Sequence, residues 1–369
     1  NGVDMQSTRD IFLSVLEGKK QERILFTPRL DIWYDSNKAR GTLPARYADS
    51  TLEEVRMDLG VDMSVRDGRI FDTIRENVDI KEETFPNMVR RHYLTPVGEV
   101  FEDLSIDPDS EKSGIKRHII TKHLIEKSED YDIVGYIIDN TRYEPCFEEF
   151  LRYEETIGDR GYPLCVIGLI PMNEILLNLI GYNDAYYQIT DNLEKVEHLN
   201  FRLENKMREM HSILLDSPAR LFLHGAHFDT QMTPPNIFSR YFVPYYNRLI
   251  PELNRRGKYI AAHQDADASA LLGLYLKAGI NVADCFACSP LVKCTFEEAI
   301  SVWGDRVVIW GGIPSTLLIP EECPEEEFEA HMKMILGNIS KGRVILAVSD
   351  NVMPEADINR VRKIVDMIN

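Results

Sequence analysis

The chain has 369 residues, 44% of them hydrophobic and 28% charged, enough for two small domains or one large α/β barrel. Its formal net charge of −18 argues against nucleic acid or an anionic membrane surface as a partner, because both are held by basic patches. No apolar run approaches the roughly 20 residues that span a bilayer, and the six cysteines lack disulfide-framework spacing, so a reduced, cytoplasmic protein without a secretory leader is expected.

Residues 1–4, ahead of Met5, are expected to be foreign to the fold or disordered. "RILFTPRLDIW" (23–33) reads as a strand and "STLEEVRMDLG" (50–60) as a helix. Residues 62–110 alternate polar and apolar side chains, with turn signals at Pro86-Asn87 and Pro96-Val97-Gly98, which predicts an antiparallel insertion. From residue 160 a strand-then-helix rhythm sets in. The strands are short, β-branched and almost continuously apolar: 164–170, 219–225, 258–263, 280–285, 306–312 and 343–349. Such strands are buried on both faces, as in a parallel sheet. Helical patterns separate them at 269–279, with Gly279 in the C-cap position, and at 295–304, 324–339 and 355–368. Stretches 171–216 and 233–256 are mostly helical. With one strand near 24–30 and one more at 62–66 or 131–139, eight are within reach. The nucleotide fingerprints of open sheets are absent. A single (β/α)₈ TIM barrel over 1–369 is predicted.

In a barrel the chemistry gathers where strands end and βα loops begin. The polar residues falling there are Arg29 and Asp31; Asn173 and Glu174; His224, His227 and Asp229; His263, Asp265 and Asp267; Asp284; then Asp350 and Asn351. Gly311 and Gly312, after a strand, would let a ligand approach the backbone. Ordinary alternatives stand beside these readings. His224 could be a hydrogen-bonded structural histidine, and Asp267 and Asp284 could cap the next helices. Cys285 and Cys288 form a single CxxC, which fits plain thiols or a metal ligand. His263 and Asp265 carry more, since alternate residues of an extended segment face one way. With Asp350 they make a His/Asp/Asp set that suits either zinc with an open fourth position or a metal-free polar pocket.

"YFVPYYNRLIPELNRRGKYIAAHQDADASALLGLYLKAGINVADCF" (241–286), "RVVIWGGIPSTLLIP" (306–320) and "VILAVSDNVMP" (344–354) together resemble the second half of the uroporphyrinogen decarboxylase superfamily. The likeness covers about 200–369 well and the first half loosely. It implies a (β/α)₈ barrel. The decarboxylase branch leaves only a trace at Trp33, Arg40, Gly41, Leu43, Pro44 and Tyr47, and "YDSNKARG" stands where that branch has its arginine-rich segment. The corrinoid-dependent methyltransferase branch holds zinc by His-x-Cys and a distant Cys after the last strand. Those positions correspond here to His263, Asp265 and Asp350 or its neighbour. Carboxylates in place of thiolates harden the site, which suits activation of an ether oxygen or an amine.

The resemblance therefore implies a methyltransferase that takes a methyl group from a small methylated donor, for example by O-demethylation of an aryl methyl ether, and delivers it to a corrinoid protein. His263, with His227 and Asp229 to orient the donor or move a proton, would be catalytic. Arg29, Asp31, Trp33, Tyr34, Glu174, His224, Gly312 and Asn351 would line the substrate site, with His263, Asp265 and Asp350 on zinc. A decarboxylase of a smaller acid, anchored by Arg29 or Arg40, is one alternative; a non-catalytic tetrapyrrole- or corrinoid-binding module is the other.

Overall fold

Pro86-Asn87 and Pro96-Val97 each close a tight hairpin, as the alternation flanking them predicts: Phe85 pairs with Met88, and Thr95 with Gly98. The computed structural model that shows this describes residues 6–19 and 21–369, so the expectation for residues 1–4 lies outside it. The chain divides into two compact units. One comprises Asn1–Arg69, Glu148–Gly168 and Ala219–Asn369, the other Ile70–Phe147 and Leu169–Pro218.

The second unit holds the hairpins. β1 (Phe71–Arg75) pairs antiparallel with β6 (Thr141–Pro145), and β2 (Asp79–Phe85), β3 (Met88–Thr95), β4 (Gly98–Ile106) and β5 (His118–Lys122) form a four-stranded antiparallel sheet. The antiparallel insertion expected near 62–110 is there, but it begins at Phe71 and continues to Lys122. Tyr93 and Val100, directly opposite one another, are buried, and Arg90 grips Asp103 across the same pair of strands at 2.7 Å. Residues 131–139, one of two candidates for a barrel strand, belong instead to the helix Asp130–Asp139, whose first carboxylate accepts from the backbone N–H groups of Glu126 and Lys127.

The first unit carries the parallel sheet. β7 (Cys165–Val166), β8 (Leu221–Leu223), β9 (Tyr259–His263), β10 (Val282–Phe286), β11 (Val308–Ile313) and β12 (Arg343–Val348) lie side by side in sequence order. Two further segments complete the ring. Thr27 N donates to Leu346 O at 2.8 Å, Asp62 N to Phe26 O at 2.9 Å, and Leu164 N to Val65 O at 2.9 Å, so the hydrogen bonds pass from β12 through 25–27 and 62–68 back to the start of β7. The chain thus has the (β/α)₈ barrel, with 62–68 as its second position. Among the described residues no helix is long and apolar enough to cross a membrane.

The strand expected over 23–33 is shorter than its apolar run. Pro28 removes a donor and ends the pairing, and the helix Asp31–Arg40 begins three residues on. Inside the ring Leu25, Leu164, Leu221, Ala261, Val282, Trp310 and Ile345 form one core with Ile11, Phe12, Val15 and Leu16 of the helix Thr8–Leu16. That helix plugs one end: Phe12 meets the Trp310 ring edge-on at 5.2 Å. The other end holds the polar residues.

Candidate functional site

β9 and β10 are in register, with Asp284 opposite His263. That register lays the Asp284 carboxylate beside the imidazole, 2.6 Å from Nδ1. Asp284 has no exposed surface. A bare carboxylate there would cost several kcal/mol, and Arg66, on the second barrel position, pairs with both its oxygens, one of them 3.0 Å from Nη1. Arg66 in turn lies over the Trp310 ring at 4.8 Å. Burial alone would raise the Asp284 carboxyl, but the charge of Arg66 and the bond from His263 hold it well below the ordinary range. Burial likewise opposes a charged His263; Cys285, Asp265 and Asp284 outweigh it and keep the imidazole well above its usual value.

With Nδ1 fixed on Asp284, Nε2 points at the other members of the cluster. Asp265 Oδ1 is 2.6 Å away and Asp350 Oδ1 3.8 Å. These three ligand atoms lie within 4.8 Å of one another. His227 Nδ1 stands 3.1 Å from the second oxygen of Asp265. Arg29 Nη1 donates to Asp350 at 2.7 Å, and Asn351 Nδ2 donates to the other Asp350 oxygen, also at 2.7 Å. Exposure grows across the set, from 15% for the His263 side chain to 25% for Asp265 and 45% for Asp350, so the cluster opens on the Asp350 side.

The backbone is forced at this spot. His227, Asp265, Cys285 and Asp350, at or just after the ends of β8, β9, β10 and β12, all have left-handed φ values, 53°, 70°, 53° and 58°. Among the described residues only Asn77 joins them outside glycine. Such conformations cost about 1–2 kcal/mol each for a residue with a Cβ, and they gather where function demands a side-chain direction.

Other expected site residues have different surroundings. His224 is fully buried, with Nδ1 2.9 Å from Gly168 O and Nε2 2.8 Å from the Tyr245 hydroxyl, and burial pushes it down to about 4. Asp229 accepts from the backbone N–H groups of Gln231 and Met232 and so turns its own loop. Asp267 ties Cys294 N to Ser269 Oγ. Trp33 and Tyr34 sit on the helix Asp31–Arg40, buried, with Trp33 Nε1 on Ala356 O and the Tyr34 hydroxyl on Ser50 O. Asp31 pairs with Arg56 at 3.0 Å. Gly312 is packed against protein: a Cβ there would stand 2.8 Å from the Phe296 ring. Glu174 lies in the second unit, where burial lifts its carboxyl to about 7 and Asn178 donates to it at 2.9 Å. Cys288 turns from the cluster to Gly312 O. Asp284, read as a possible helix cap, is instead the partner of His263. Arg66 ends the candidate strand 62–66, but its role was not read from the sequence, because pairing with a residue 218 positions away is invisible in one dimension.

These donors fit a divalent ion. One imidazole nitrogen and two carboxylate oxygens face a common point, and a buried carboxylate fixes the imidazole from behind, as metal-bound histidines require.

Residues 205–369 match the family model described as "Uroporphyrinogen decarboxylase (URO-D)". The resemblance to that superfamily is therefore shown over the stretch that holds β8 to β12. A solved methyltransferase from Methanosarcina mazei superposes with a TM-score of 0.54 at 11% identity, over 98% of this chain and 98% of that one. At that identity the likeness establishes the fold. No curated protein matches the sequence.

Proposed function

We propose that the protein is a methyltransferase that moves a methyl group from a small methylated donor, such as an aryl methyl ether, to a corrinoid carried by a separate protein. The observation supporting this most directly is the meeting of His263 Nε2, Asp265 and Asp350 at one open point, with Asp284 and Arg66 locking the imidazole from behind.

The reaction breaks a carbon–oxygen bond, gives the methyl carbon to the reduced corrinoid and leaves the electron pair on oxygen. A phenolate is a reluctant leaving group, its conjugate acid having a pKa of about 10. Zinc bound to His263, Asp265 and Asp350 would supply Lewis acidity at that oxygen, an effect of several kcal/mol. The chain's own groups do the rest. Asp284 accepts a hydrogen bond from His263 Nδ1–H, so Nε2 is the nitrogen that would coordinate once its own proton leaves. His227, half-exposed beside Asp265, is placed to orient the donor or give a proton to the departing oxygen. Arg29 steadies Asp350. The acidic surface calls for a corrinoid protein with a complementary basic patch.

The test is elemental analysis of fresh protein together with a screen of methoxylated aromatics in the presence of a reduced corrinoid protein. Stoichiometric zinc and donor demethylation, both lost in His263→Ala, support the reading. Metal-free protein that releases carbon dioxide from a small acid would replace it with a decarboxylase anchored by Arg29. Affinity for the corrinoid protein without demethylation would leave a binding module.

A further inference from the structure

In a regular strand, neighbouring residues point to opposite faces. Asp284 and Cys285 are consecutive in β10, yet both enter the same cluster. Asp284 meets His263 and Arg66, while Cys285 Sγ lies 3.7 Å from Asp350 Oδ1, 3.9 Å from Arg66 Nη2 and 4.0 Å from Arg29 Nη1. The chain achieves this with a bulge. Asp284 pairs with Trp310 and Phe286 with Gly311, so Cys285 is skipped in the ladder and adopts φ 53°. Gly311 makes room for the displaced strand: a Cβ there would stand 2.6 Å from Phe286 N and 2.7 Å from its O. Ser349 Oγ then ties Phe286 O to the end of β12 at 2.9 Å.

A filler of the core needs none of this. Left-handed backbone is strained at a residue with a Cβ, and sulfur contacts of 3.7–4.0 Å return little, because a thiol is a weak donor and acceptor. A second feature also points to a missing ligand. Asn351 is 1% exposed, donates through Nδ2 to Asp350, and its Oδ1 has no hydrogen-bond partner among the described residues.

We propose that Cys285 is a further ligand of the metal held by His263, Asp265 and Asp350, binding as a thiolate. Two of the separations suit it. In tetrahedral sites with bonds of about 2.0–2.3 Å, donor atoms lie roughly 3.3–3.7 Å apart; Asp350 Oδ1 is 3.7 Å from Sγ and 3.8 Å from His263 Nε2. Cys285 also falls with His263 and Asp284 in a second group whose ligand atoms lie within 4.8 Å of one another, so His263 is the member the two groups share. On metal uptake the thiol proton leaves to solvent and the sulfur keeps the electron pair. One sulfur among oxygen and nitrogen donors selects zinc or cobalt over magnesium and calcium, which distinguishes this site from an all-oxygen acidic cluster. The inference rests on the metal site of the proposed function.

The experiment is cobalt(II) loading of the metal-stripped, full-length protein, followed by absorption spectroscopy and metal counting. Wild type should take up one equivalent and show a sulfur-to-cobalt charge-transfer band in the near ultraviolet. Cys285→Ser and Cys285→Ala should lose that band and bind cobalt at least ten-fold more weakly, whereas Cys288→Ser should keep it. Because the wild-type band is itself diagnostic, the result does not depend on how well the variants fold. One equivalent of cobalt, lost in His263→Ala but giving no sulfur band, would overturn the role of Cys285 and leave the proposed function standing. A band that survives in Cys285→Ser overturns it equally. Failure of wild type to bind cobalt or zinc at all would remove the metal site, and the thiolate with it.

Discussion

His224 and His263 stand at the ends of neighbouring strands, β8 and β9, and have opposite characters. His224 N donates to Ala261 O and His263 N to Gly225 O, so their backbones are equivalent in the sheet. His224 looks onto a carbonyl and a tyrosine hydroxyl, neither of which stabilises a positive charge strongly, and burial drives it down to about 4. His263 looks onto Asp284, Asp265 and, further off, Asp350, and is raised. The strand end supplies only a position. Whether a histidine there is a neutral structural post or the centre of a charged cluster depends on whether the next strand offers a carboxylate in register.

Asp284 is therefore where the comparison breaks most violently. Asp284→Ala leaves Arg66 buried without a counter-charge, which should cost about 3–5 kcal/mol in denaturant unfolding. Asp284→Asn keeps the shape and loses the charge; it should weaken zinc binding about 10- to 100-fold, read by chelator competition. If Asp284→Ala were within experimental error of wild type, the buried pair would not organise this side of the site.

The complementary experiment acts on His224. Its folded pKa lies below the ordinary unfolded value of about 6.5, so between the two the unfolded chain binds the extra proton. Stability is then complete above pH 6.5, falls as pH drops, and levels off below 4. Relative to His224→Gln, wild type should lose about 2 kcal/mol more between pH 7 and pH 5. Urea titrations at the two pH values check it; parallel lines for the two proteins would show that His224 is not held neutral by burial.

The same contrast explains what could be read from the sequence. The barrel was legible because strands buried on both faces leave continuous apolar runs, and the hairpins because their turns carry proline and asparagine. His263, Asp265 and Asp350 could be picked out since each follows such a run directly, and the structure brings them together. Arg66 could not. Its segment, "VDMSVRDG", is only weakly apolar and joins the ring by isolated hydrogen bonds. Trp33 and Tyr34 were misplaced because a short apolar run on either side of Pro28 suits a strand or a helix equally. Asp284 and Cys285 depend on register and on a bulge, properties of paired strands that no single segment contains.

Asp229 offers the smallest effect and the sharpest control. Like Asp265 it is a rim acid two residues after a histidine, Asp229 after His227 and Asp265 after His263. In the fold Asp229 is 3% exposed, with one oxygen accepting from Gln231 N at 2.8 Å and Met232 N at 2.9 Å. That arrangement holds a turn, in the manner of a capping aspartate. Asp229→Ala should thus cost about 1 kcal/mol of stability and leave zinc stoichiometry unchanged, whereas Asp265→Ala should reduce zinc content. Equal metal loss in both variants would mean that the loop after β8 shapes the proposed metal site through Asp229, and that the distinction between post and cluster drawn for the two histidines does not extend to the acids beside them.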